Sequence, residues 1–469
     1  MGNLMGMLPE IYMLFGVMVM LLIGKVKSEW NIWLGIELML IGGLMSIMNV
    51  YISGEMINGS IRHSEITAIG KGLIYILGGL IMYISKGYIK EKKMQTLEYS
   101  GIQVMVVLGM GIMLGGNNMM SIYLGMEMQS LGMYVMATYT KGSRYSTEAG
   151  MKYFVMGALG SGIMLFGASQ MYKNTGTTNI EEMGRIYNQG IEIESVIGLG
   201  MVSVGLLFKM GAAPFHFWAP DVYEGAPSSS SMVFGVLPKI ALLGVLIRLL
   251  STVMVSEIGS EIFGGMFGGL GILSIMVSAT GTLYQRRIKR FLAYSSIGHV
   301  GFMLIGINTG TIEGIEGVMV YIQLYMLMSL NMWGAVVLMR KTNIDELAGL
   351  GKANPWLAMS IGAGVLSMAG IPPMAGFFGK YVVILGAMES GMYGLGLMSI
   401  VISVVGAFYY IRWVKIMYFE TGKGDIRGVE KISKGTGIIL GLSTVGMILF
   451  GLNPGPVFML AQEMALSVV

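Results

Sequence analysis

Long apolar runs, separated by short polar stretches, dominate the chain. A helix that crosses the hydrocarbon core of a bilayer needs about 20 predominantly apolar residues. On that basis the pattern predicts an all-α polytopic membrane protein. Its fourteen transmembrane helices are predicted at about 7–24, 32–50, 67–87, 101–118, 120–140, 147–171, 193–218, 228–250, 258–283, 290–309, 315–339, 355–388, 393–418 and 435–462.

The basic residues of the loops give an independent test of that count. Most of the 30 Lys and Arg residues lie in loops that follow odd-numbered helices. Loops that follow even-numbered helices clearly hold only Arg62, Lys173 and Arg185. Because loops on the cytoplasmic or matrix side carry the excess of Lys and Arg, the odd loops are predicted to face that side. Both termini then face the outer side.

Composition agrees with a membrane location and removes several kinds of chemistry. Hydrophobic residues make up 54% of the chain and charged residues only 12%, unlike an ordinary soluble domain. The net charge of +4 comes from separate short loops, so no continuous basic face is available for nucleic acid. Without cysteine, the chain itself holds no disulfide, zinc–thiolate site or cysteine-ligated iron–sulfur cluster. The first apolar run lacks a preceding basic segment and a cleavage site, and we interpret it as a spanning helix.

Seven ionisable residues fall well inside the predicted spans: Glu37, Glu127, Lys152, Lys209, Lys239, His299 and Lys380. A lysine at the bilayer centre costs about 2.5–3.5 kcal/mol on insertion scales, so such residues are candidates for function. Three of the lysines lie beside prolines: Lys209 before Pro214, Lys239 after Pro238, and Lys380 after Pro372 and Pro373. Helices broken by proline at membrane depth are tolerated where they line a buried or watery cavity. The pattern indicates an ion path along broken helices seven and twelve.

The separations between these residues predict an internal repeat. Lys209 follows Glu127 by 82 residues, and Lys380 follows His299 by 81. Two repeats of five helices explain both separations, and an odd number of helices inverts the second repeat in the membrane. Coincidence is the alternative. The predicted divisions are three N-terminal helices (1–100), the first repeat (101–253), the second repeat (254–418), and a loop with the last helix (419–469).

Several of the ionisable residues have a second, structural interpretation. Lys152 lies near the start of its helix, where its long side chain can reach the membrane surface. Glu37 is equally a polar contact between helices or a functional acid. His216 and Asp221 lie in the break after helix seven, where bracing of the loop is at least as good an explanation as proton entry. His63 lies in a loop and has no evident chemistry.

Two further patterns predict no binding site. The glycine-rich stretch GMGIMLGG at 109–116 follows no strand and precedes no lysine–serine signature, so it indicates close packing of helices and not a nucleotide loop. His, Asp and Glu do not cluster at the spacing of metal ligands, and we predict no metal. Nothing in the sequence supports binding of quinone or NADH by this chain.

Long stretches of the chain resemble the antiporter-like membrane subunits of respiratory complex I, and most closely the branch called subunit 2 in mitochondria and subunit N in bacteria. The stretches are SIYLGMEMQSLGMYVMATY (121–139), EAGMKYFVMGALGSGIMLFGASQMY (148–172), LLFKMGAAPFHFWAPDVYEGAP (206–227), IKRFLAYSSIGHVGFMLIG (288–306) and AGIPPMAGFFGKYVV (369–383). PDVYEGAP followed by a Pro-Lys pair in the next helix is similar to that branch. The resemblance extends from helix four to helix twelve.

The resemblance implies a proton-translocating module. Glu127 matches the family's glutamate, and Lys209, Lys239 and Lys380 match its lysines of helices seven, eight and twelve. His299 falls on the central polar axis in helix ten. The first three helices are much less diagnostic.

The resemblance also implies where the cofactors and partners are. No cofactor is expected in this chain, and NAD, FMN, iron–sulfur clusters and ubiquinone are expected in partner subunits of NADH:ubiquinone oxidoreductase. The partners are other membrane-arm subunits, including neighbouring antiporter-like subunits, together with membrane lipids. The predicted location is the mitochondrial inner membrane, with the bacterial plasma membrane as the alternative.

We interpret Glu127 and Lys209 as an ion pair whose formation and separation change the proton affinity of the lysine. A neighbouring carboxylate changes a pKa by about 1–3 units, or roughly 1.4–4 kcal/mol. Moving one charge against 100 mV costs about 2.3 kcal/mol, so the pair is of the right size to move a proton. Lys239 and His299 are then predicted to pass the proton through water along the membrane midplane. Lys380 delivers it outward or to a neighbouring subunit.

Two other functions stay open. A subunit of a multisubunit cation/proton antiporter would need the same buried Lys and Glu residues. A structural spacer subunit would keep the polar axis without conducting protons. A structural salt bridge is likewise the alternative for Lys209 taken alone.

Overall fold

The computed structural model describes residues 2–23, 28–94, 97–190, 192–253, 257–420 and 433–466. Helices make up most of these ranges, with one antiparallel hairpin of strands β1 (Gly54–Met56) and β2 (Ile61–His63) and short 3-10 turns at Gly2–Met7 and Ile344–Leu347. The helices are α1 (Leu8–Ile23), α2 (Ser28–Met48), α3 (Glu65–Glu91), α4 (Leu97–Gly115), α5 (Met119–Ala137), α6 (Arg144–Thr175), α7 (Ile180–Tyr187), α8 (Ile193–Met210), α9 (Trp218–Gly225), α10 (Ser228–Val253), α11 (Glu257–Leu283), α12 (Ile288–Asn308), α13 (Ile312–Met339), α14 (Leu350–Ala353), α15 (Pro355–Ala369), α16 (Ala375–Glu389), α17 (Tyr393–Phe419), α18 (Lys434–Leu452) and α19 (Gly455–Leu466).

Twelve helices in the described ranges are long and apolar enough to cross a membrane. They match twelve of the fourteen predicted spans. The other two predicted spans are α5 and the twelfth, which the structure divides into α15 and α16 of 15 residues each. The all-α polytopic class is therefore confirmed, whereas the count of fourteen and the inverted repeats stay predictions.

The last predicted span, 435–462, is wrong as a single helix. α18 ends at Leu452 and α19 begins at Gly455. Pro454 lies in the gap, and the residue before a proline is driven out of the helical conformation. Asn453 accordingly has an extended backbone with φ −137°. In the last predicted division, residues 421–432 and 467–469 lie outside the described residues.

The chain forms two compact units. The first contains Met1–Met210 and Gly225–Phe263, and the second contains Gly211–Glu224 and Gly264–Leu466. The broken helix seven lies at the change from the first unit to the second along the chain. The broken helix twelve lies within the second unit. The four divisions predicted from the sequence stay predictions.

Contacts between loops agree with the predicted alternation of loops. In the first unit, backbone bridges join the loops that follow the second, fourth and sixth predicted helices: Ile61 with Gly116, and Asn118 with Asn179. In the second unit, Arg287 pairs with Asn343 and so joins the loops after the ninth and eleventh. Loops that share a predicted side of the membrane are therefore in contact within each unit.

Helices of the first unit approach one another closely at glycines. A Cβ on Gly125 of α5 would lie 2.5 Å from the backbone nitrogen of Met113 in α4. A Cβ on Gly109 of α4 would lie 2.9 Å from the carbonyl oxygen of Gly125. Neither position has room for a side chain, because the atoms in the way belong to the facing backbone. The prediction that the stretch 109–116 serves helix packing is confirmed.

The contact between α6 and α8 depends on glycine in the same way. A Cβ on Gly167 would lie 2.5 Å from the carbonyl oxygen of Gly198, so Gly167→Ala is expected to lower the thermal unfolding midpoint of the purified protein. Gly162→Ala on α6 is the matched control, because a Cβ there has no neighbour within 4 Å. Alanine also favours a helix over glycine by about 1 kcal/mol. Equal midpoints for the two variants would contradict this packing.

Candidate functional site

Lys209 lies at the buried end of a helix. α8 stops at Met210, and Gly211 follows with φ +77°, a conformation that glycine adopts without strain. Pro214, three residues later, cannot continue the helix. Lys209 is therefore in the last turn of α8, where a helix carries partial negative charge, and it is 3% exposed.

One face of α5 supplies the groups around the Lys209 ammonium. Glu127, Ser130 and Tyr134 are spaced by three and four residues, which places them on the same side of the helix. Lys209 Nζ donates to Ser130 Oγ at 3.0 Å and to Tyr134 OH at 2.9 Å. Its distance to Glu127 Oε1 is 3.8 Å, which is an ion-pair contact but longer than a hydrogen bond.

The two charged partners differ in their surroundings. The Lys209 side chain is 1% exposed and the Glu127 side chain is 22% exposed. Glu127 also accepts a hydrogen bond from Ser161 of α6. Because Ser130 and Tyr134 are hydroxyls, each can accept from an ammonium or donate to a neutral amine. The site can therefore hold Lys209 in either protonation state.

Lys239 satisfies a backbone group that a proline has left without a donor. Pro238 lies inside α10 and has no N–H to donate to the carbonyl of Phe234, four residues earlier. Lys239 Nζ donates to that oxygen at 2.8 Å. Lys239 is 1% exposed, so the proline and the buried lysine depend on each other.

Helix twelve is broken in the second unit, and Lys380 reaches back across the break. α15 ends at Ala369, Gly370 follows with φ +80°, and α16 begins at Ala375. Lys380 Nζ donates to Ala369 O at 2.7 Å, a carbonyl at the end of α15, and to Ser403 Oγ of α17 at 3.1 Å. Its ammonium also lies 5.2 Å from the centre of the Phe302 ring, within range of a cation–π contact.

His299 and Lys380 line one cavity in the second unit. The cavity has a volume of about 30 Å³ and includes Ser403 and Tyr410 in its wall. His299 Nδ1 lies 2.8 Å from Tyr321 OH, whereas its Nε2 is buried and has no hydrogen-bond partner among the described residues. A water needs roughly 10–15 Å³, so the cavity has room for about two. Such waters would give Nε2 a partner.

The structure thus brings the predicted residues together as two groups, one in each unit. Glu127 contacts Lys209 in the first, and His299 and Lys380 share a cavity in the second. Lys239 is held by the carbonyl of Phe234. Sequence reasoning missed the neutral hydroxyls, although the helical spacing of Ser130 and Tyr134 from Glu127 was visible.

For Lys152 and Asp221 the contacts favour the structural interpretation. Lys152 is partly exposed and lies 2.7 Å from Glu148 one turn earlier, as expected for a side chain that reaches the surface. Glu37 is exposed on α2. Asp221 contacts Arg290 at 2.8 Å, which supports the bracing interpretation of the break after helix seven.

Arg290 holds that break together through two carboxylates. It contacts Asp221, and it also lies 3.1 Å from Glu224, which is further paired with Arg287. Burial lowers the pKa of the nearby His216, and the backbone of Pro214 acts in the opposite direction. Ion pairs therefore brace this part of the second unit.

Removing that charge should destabilise the protein. Arg290→Gln is expected to cost about 1 kcal/mol, because two carboxylates lose a shared partner. Lys415→Gln is the control, since Lys415 and its partner Glu420 are both exposed and 3.6 Å apart. Thermal unfolding at low and high salt should show a larger, salt-sensitive loss for Arg290→Gln. A loss no larger than that of Lys415→Gln would contradict the bracing role.

Helices broken at membrane depth, each with a buried lysine at the break, define a polytopic transport protein. The chain belongs to the NADH:quinone oxidoreductase/Mrp antiporter transmembrane family, whose family model matches residues 116–406. The resemblance seen in the sequence is therefore confirmed.

Relatives match over nearly the whole chain. NADH-quinone oxidoreductase subunit N of Paramagnetospirillum magneticum is 36% identical, over 99% of this chain and 97% of the relative. NADH-ubiquinone oxidoreductase chain 2 of Marchantia polymorpha is 34% identical, over 99% of this chain and 98% of the relative.

Solved structures share the fold. A chain of respiratory complex I from Thermus thermophilus has a TM-score of 0.84 at 24% identity, covering 96% of this chain and 99% of that one. A chain of the Mrp complex from a Dietzia species has a TM-score of 0.84 at 16% identity, covering 98% of this chain and 97% of that one.

Proposed function

We propose that the chain is a proton-translocating membrane-arm subunit of NADH:ubiquinone oxidoreductase, complex I. The observation that carries the proposal is the Lys209 ammonium, which is buried, lies 3.8 Å from Glu127 and is bridged by two hydroxyls. The relatives named as subunits of this oxidoreductase support the assignment to the complex. The chain takes part in the redox reaction as a subunit and supplies proton transfer.

The energy for transport comes from partner subunits in this proposal. NAD, FMN, iron–sulfur clusters and ubiquinone belong to those partners, and this chain holds no cofactor. Neighbouring antiporter-like subunits and membrane lipids surround it. The bacterial relatives fit a plasma membrane, and the mitochondrial inner membrane stays a prediction for this chain.

In the first unit, Glu127 acts as a switch for Lys209. When the carboxylate approaches the ammonium, the protonated lysine is favoured, and when they separate, the buried lysine is favoured as the neutral amine. Ser130 and Tyr134 hold the nitrogen in both states. An N–H bond of Lys209 Nζ then breaks, and the proton passes through water toward Lys239, the next residue of the predicted axis.

In the second unit, water in the cavity links His299 to Lys380. His299 Nε2 takes the proton as its lone pair becomes an N–H, and Tyr321 holds the other ring nitrogen. Lys380 receives the proton next and passes it outward or to a neighbouring subunit. The transfer from Lys239 to His299 stays a prediction from the sequence.

The test removes the charge of Lys209 and the charge of Glu127 in separate variants. Lys209→Met and Glu127→Gln should each abolish most coupled proton pumping while the complex still assembles and oxidises NADH. Lys152→Met is the matched control, because it removes a partly exposed lysine of the same unit that pairs with Glu148. Proton uptake per NADH oxidised, measured in vesicles, gives the answer. A full proton-to-electron ratio in assembled Lys209→Met would contradict the proposal.

The same preparations distinguish the proposed complex I subunit from an antiporter subunit and from a structural spacer. A subunit of a multisubunit cation/proton antiporter would not purify with NADH dehydrogenase activity. A structural spacer would show assembly defects in Lys209→Met and Lys239→Met, with unchanged pumping per electron in whatever assembles. The fold shared with the Mrp complex chain is equally compatible with the antiporter, so co-purification decides between them.

A further inference from the structure

A second buried ion pair lies in the first three helices, away from Glu127 and Lys209 in the sequence. Lys71 Nζ of α3 lies 2.6 Å from Glu10 Oε1 of α1, and the two side chains are only 1% and 5% exposed. Tyr75, one turn further along α3, donates to the same oxygen at 3.3 Å. Neither Lys71 nor Glu10 was singled out from the sequence.

His63 lies at the end of β2, immediately before α3, and is 1% exposed. Its Nε2 lies 3.1 Å from the carbonyl oxygen of Asn49. A carbonyl can only accept, so Nε2 carries the hydrogen, and in the neutral ring Nδ1 carries the lone pair. His63, which was expected in a loop without evident chemistry, therefore has a proton acceptor, Nδ1, in a buried position.

Two buried acceptors of this cluster have no donor. His63 Nδ1 and Glu10 Oε2 are both without a hydrogen-bond partner among the described residues. A buried polar atom without a partner costs about 1–3 kcal/mol. A water that donates to either atom would remove that cost, whereas a proton bound at His63 Nδ1 creates an N–H that itself needs an acceptor. His63 Nδ1 therefore keeps a lone pair that a proton can bind.

Helix α4 leaves room for the cluster by presenting glycines to it. A Cβ on Gly115 would lie 2.9 Å from Lys71 Nζ, and a Cβ on Gly111 would lie 1.8 Å from Tyr75 OH. Side chains at these two positions would displace the lysine and the tyrosine. The polar groups are thus accommodated by the neighbouring helix.

Other charged groups lie on the elements around the cluster. Arg62 of β2 is paired with Glu181 of α7, and Arg248 of α10 donates to the carbonyl oxygens of Leu114 and Gly116 at 2.8 and 3.0 Å. The remaining charged groups on the hairpin and at the start of α3 are Glu55 and Glu65. The hairpin end of this unit also holds the loops predicted to face the outer side of the membrane.

We propose that His63, Glu10 and Lys71 form a second proton-binding site, at the hairpin end of the first unit. A proton taken from water binds to His63 Nδ1, where the lone pair becomes an N–H, and no other bond of the protein forms or breaks. Lys71 and Glu10 set the proton affinity of His63 by opposing charge. The site is independent of whether Lys209 takes part in pumping.

The groups around His63 determine whether each variant raises or lowers its pKa. Burial lowers the pKa of His63 and Lys71 lowers it further, while the Asn49 carbonyl and Glu10 raise it. His63 is therefore neutral at pH 7 and takes up a proton only as the pH falls. Lys71→Met should raise the pKa of His63, and Glu10→Gln should lower it.

Hydrogen–deuterium exchange at the histidine C2 position, followed by mass spectrometry across a pH series, measures this directly in the assembled complex. The chain has only three histidines, so each is assigned from its own peptide. We expect a His63 midpoint below 6.5 in the unmodified chain, an upward shift of about 1 pH unit in Lys71→Met, and a downward shift in Glu10→Gln. The midpoint of His216 should not change in either variant, and Lys86→Met, on the same helix, should leave His63 unchanged.

The unmodified complex alone can overturn the proposal. A His63 midpoint at or above 6.5 contradicts it, as do unchanged midpoints in both single variants. Where a single variant does not assemble, the double variant Glu10→Gln/Lys71→Met removes both charges, a change that buried pairs often tolerate. It should raise the midpoint by less than Lys71→Met alone, since the two contributions oppose each other. The measurement is made without turnover, so a failure of the pumping proposal would not affect it.

Discussion

The structure depends on one constraint: a buried ammonium in a membrane protein needs acceptors, and a broken helix has carbonyls that need donors. Each of the three predicted lysines lies at a helix break or beside a proline, and two of them donate to a carbonyl there. Lys209 lies in the last turn of α8, Lys239 donates to the carbonyl that Pro238 leaves open, and Lys380 donates to the last residue of α15. For Lys239 and Lys380 the lysine and the break support each other, because each without the other would leave buried polar groups unsatisfied.

The proposed mechanism requires the lysines to change protonation, and the contacts of Lys209 are compatible with both states. A lysine held only by a carboxylate would form a tight pair whose separation exposes two buried charges. Lys209 is instead held by Ser130 and Tyr134, with Glu127 at a longer distance. Hydroxyls exchange donor and acceptor roles at little cost, so the carboxylate can approach or withdraw while the nitrogen keeps its partners. In the second unit, the cavity beside His299 and Lys380 leaves room for about two waters.

The sequence alone predicted the parts of this arrangement that depend on rare residues in apolar surroundings. Charged side chains within long apolar runs identified Lys209, Lys239 and Lys380, and prolines identified the breaks, because both features are costly in a bilayer. Ser130, Tyr134 and Ser403 were not predicted, since hydroxyls are common and cost little inside a helix. The Asn453–Pro454 break was missed because no buried charge accompanies it. The matching breaks at Gly211 and Gly370 agree with two repeats, although the inverted relation between them stays a prediction.

The same reasoning did not identify Glu10 and Lys71, because of their position along the chain. Both lie near the ends of apolar runs, where a charged residue ordinarily reaches water. α4 leaves space for Lys71 at Gly115 and for Tyr75, the other partner of Glu10, at Gly111, so residues about forty positions from Lys71 define the space it occupies. Gly370 similarly leaves space for the Lys380 side chain, since a Cβ there would lie 2.8 Å from its Cδ. Buried charge in this protein is therefore positioned by missing side chains as much as by polar partners, and these glycines lie too far from their lysines along the chain for the sequence alone to pair them.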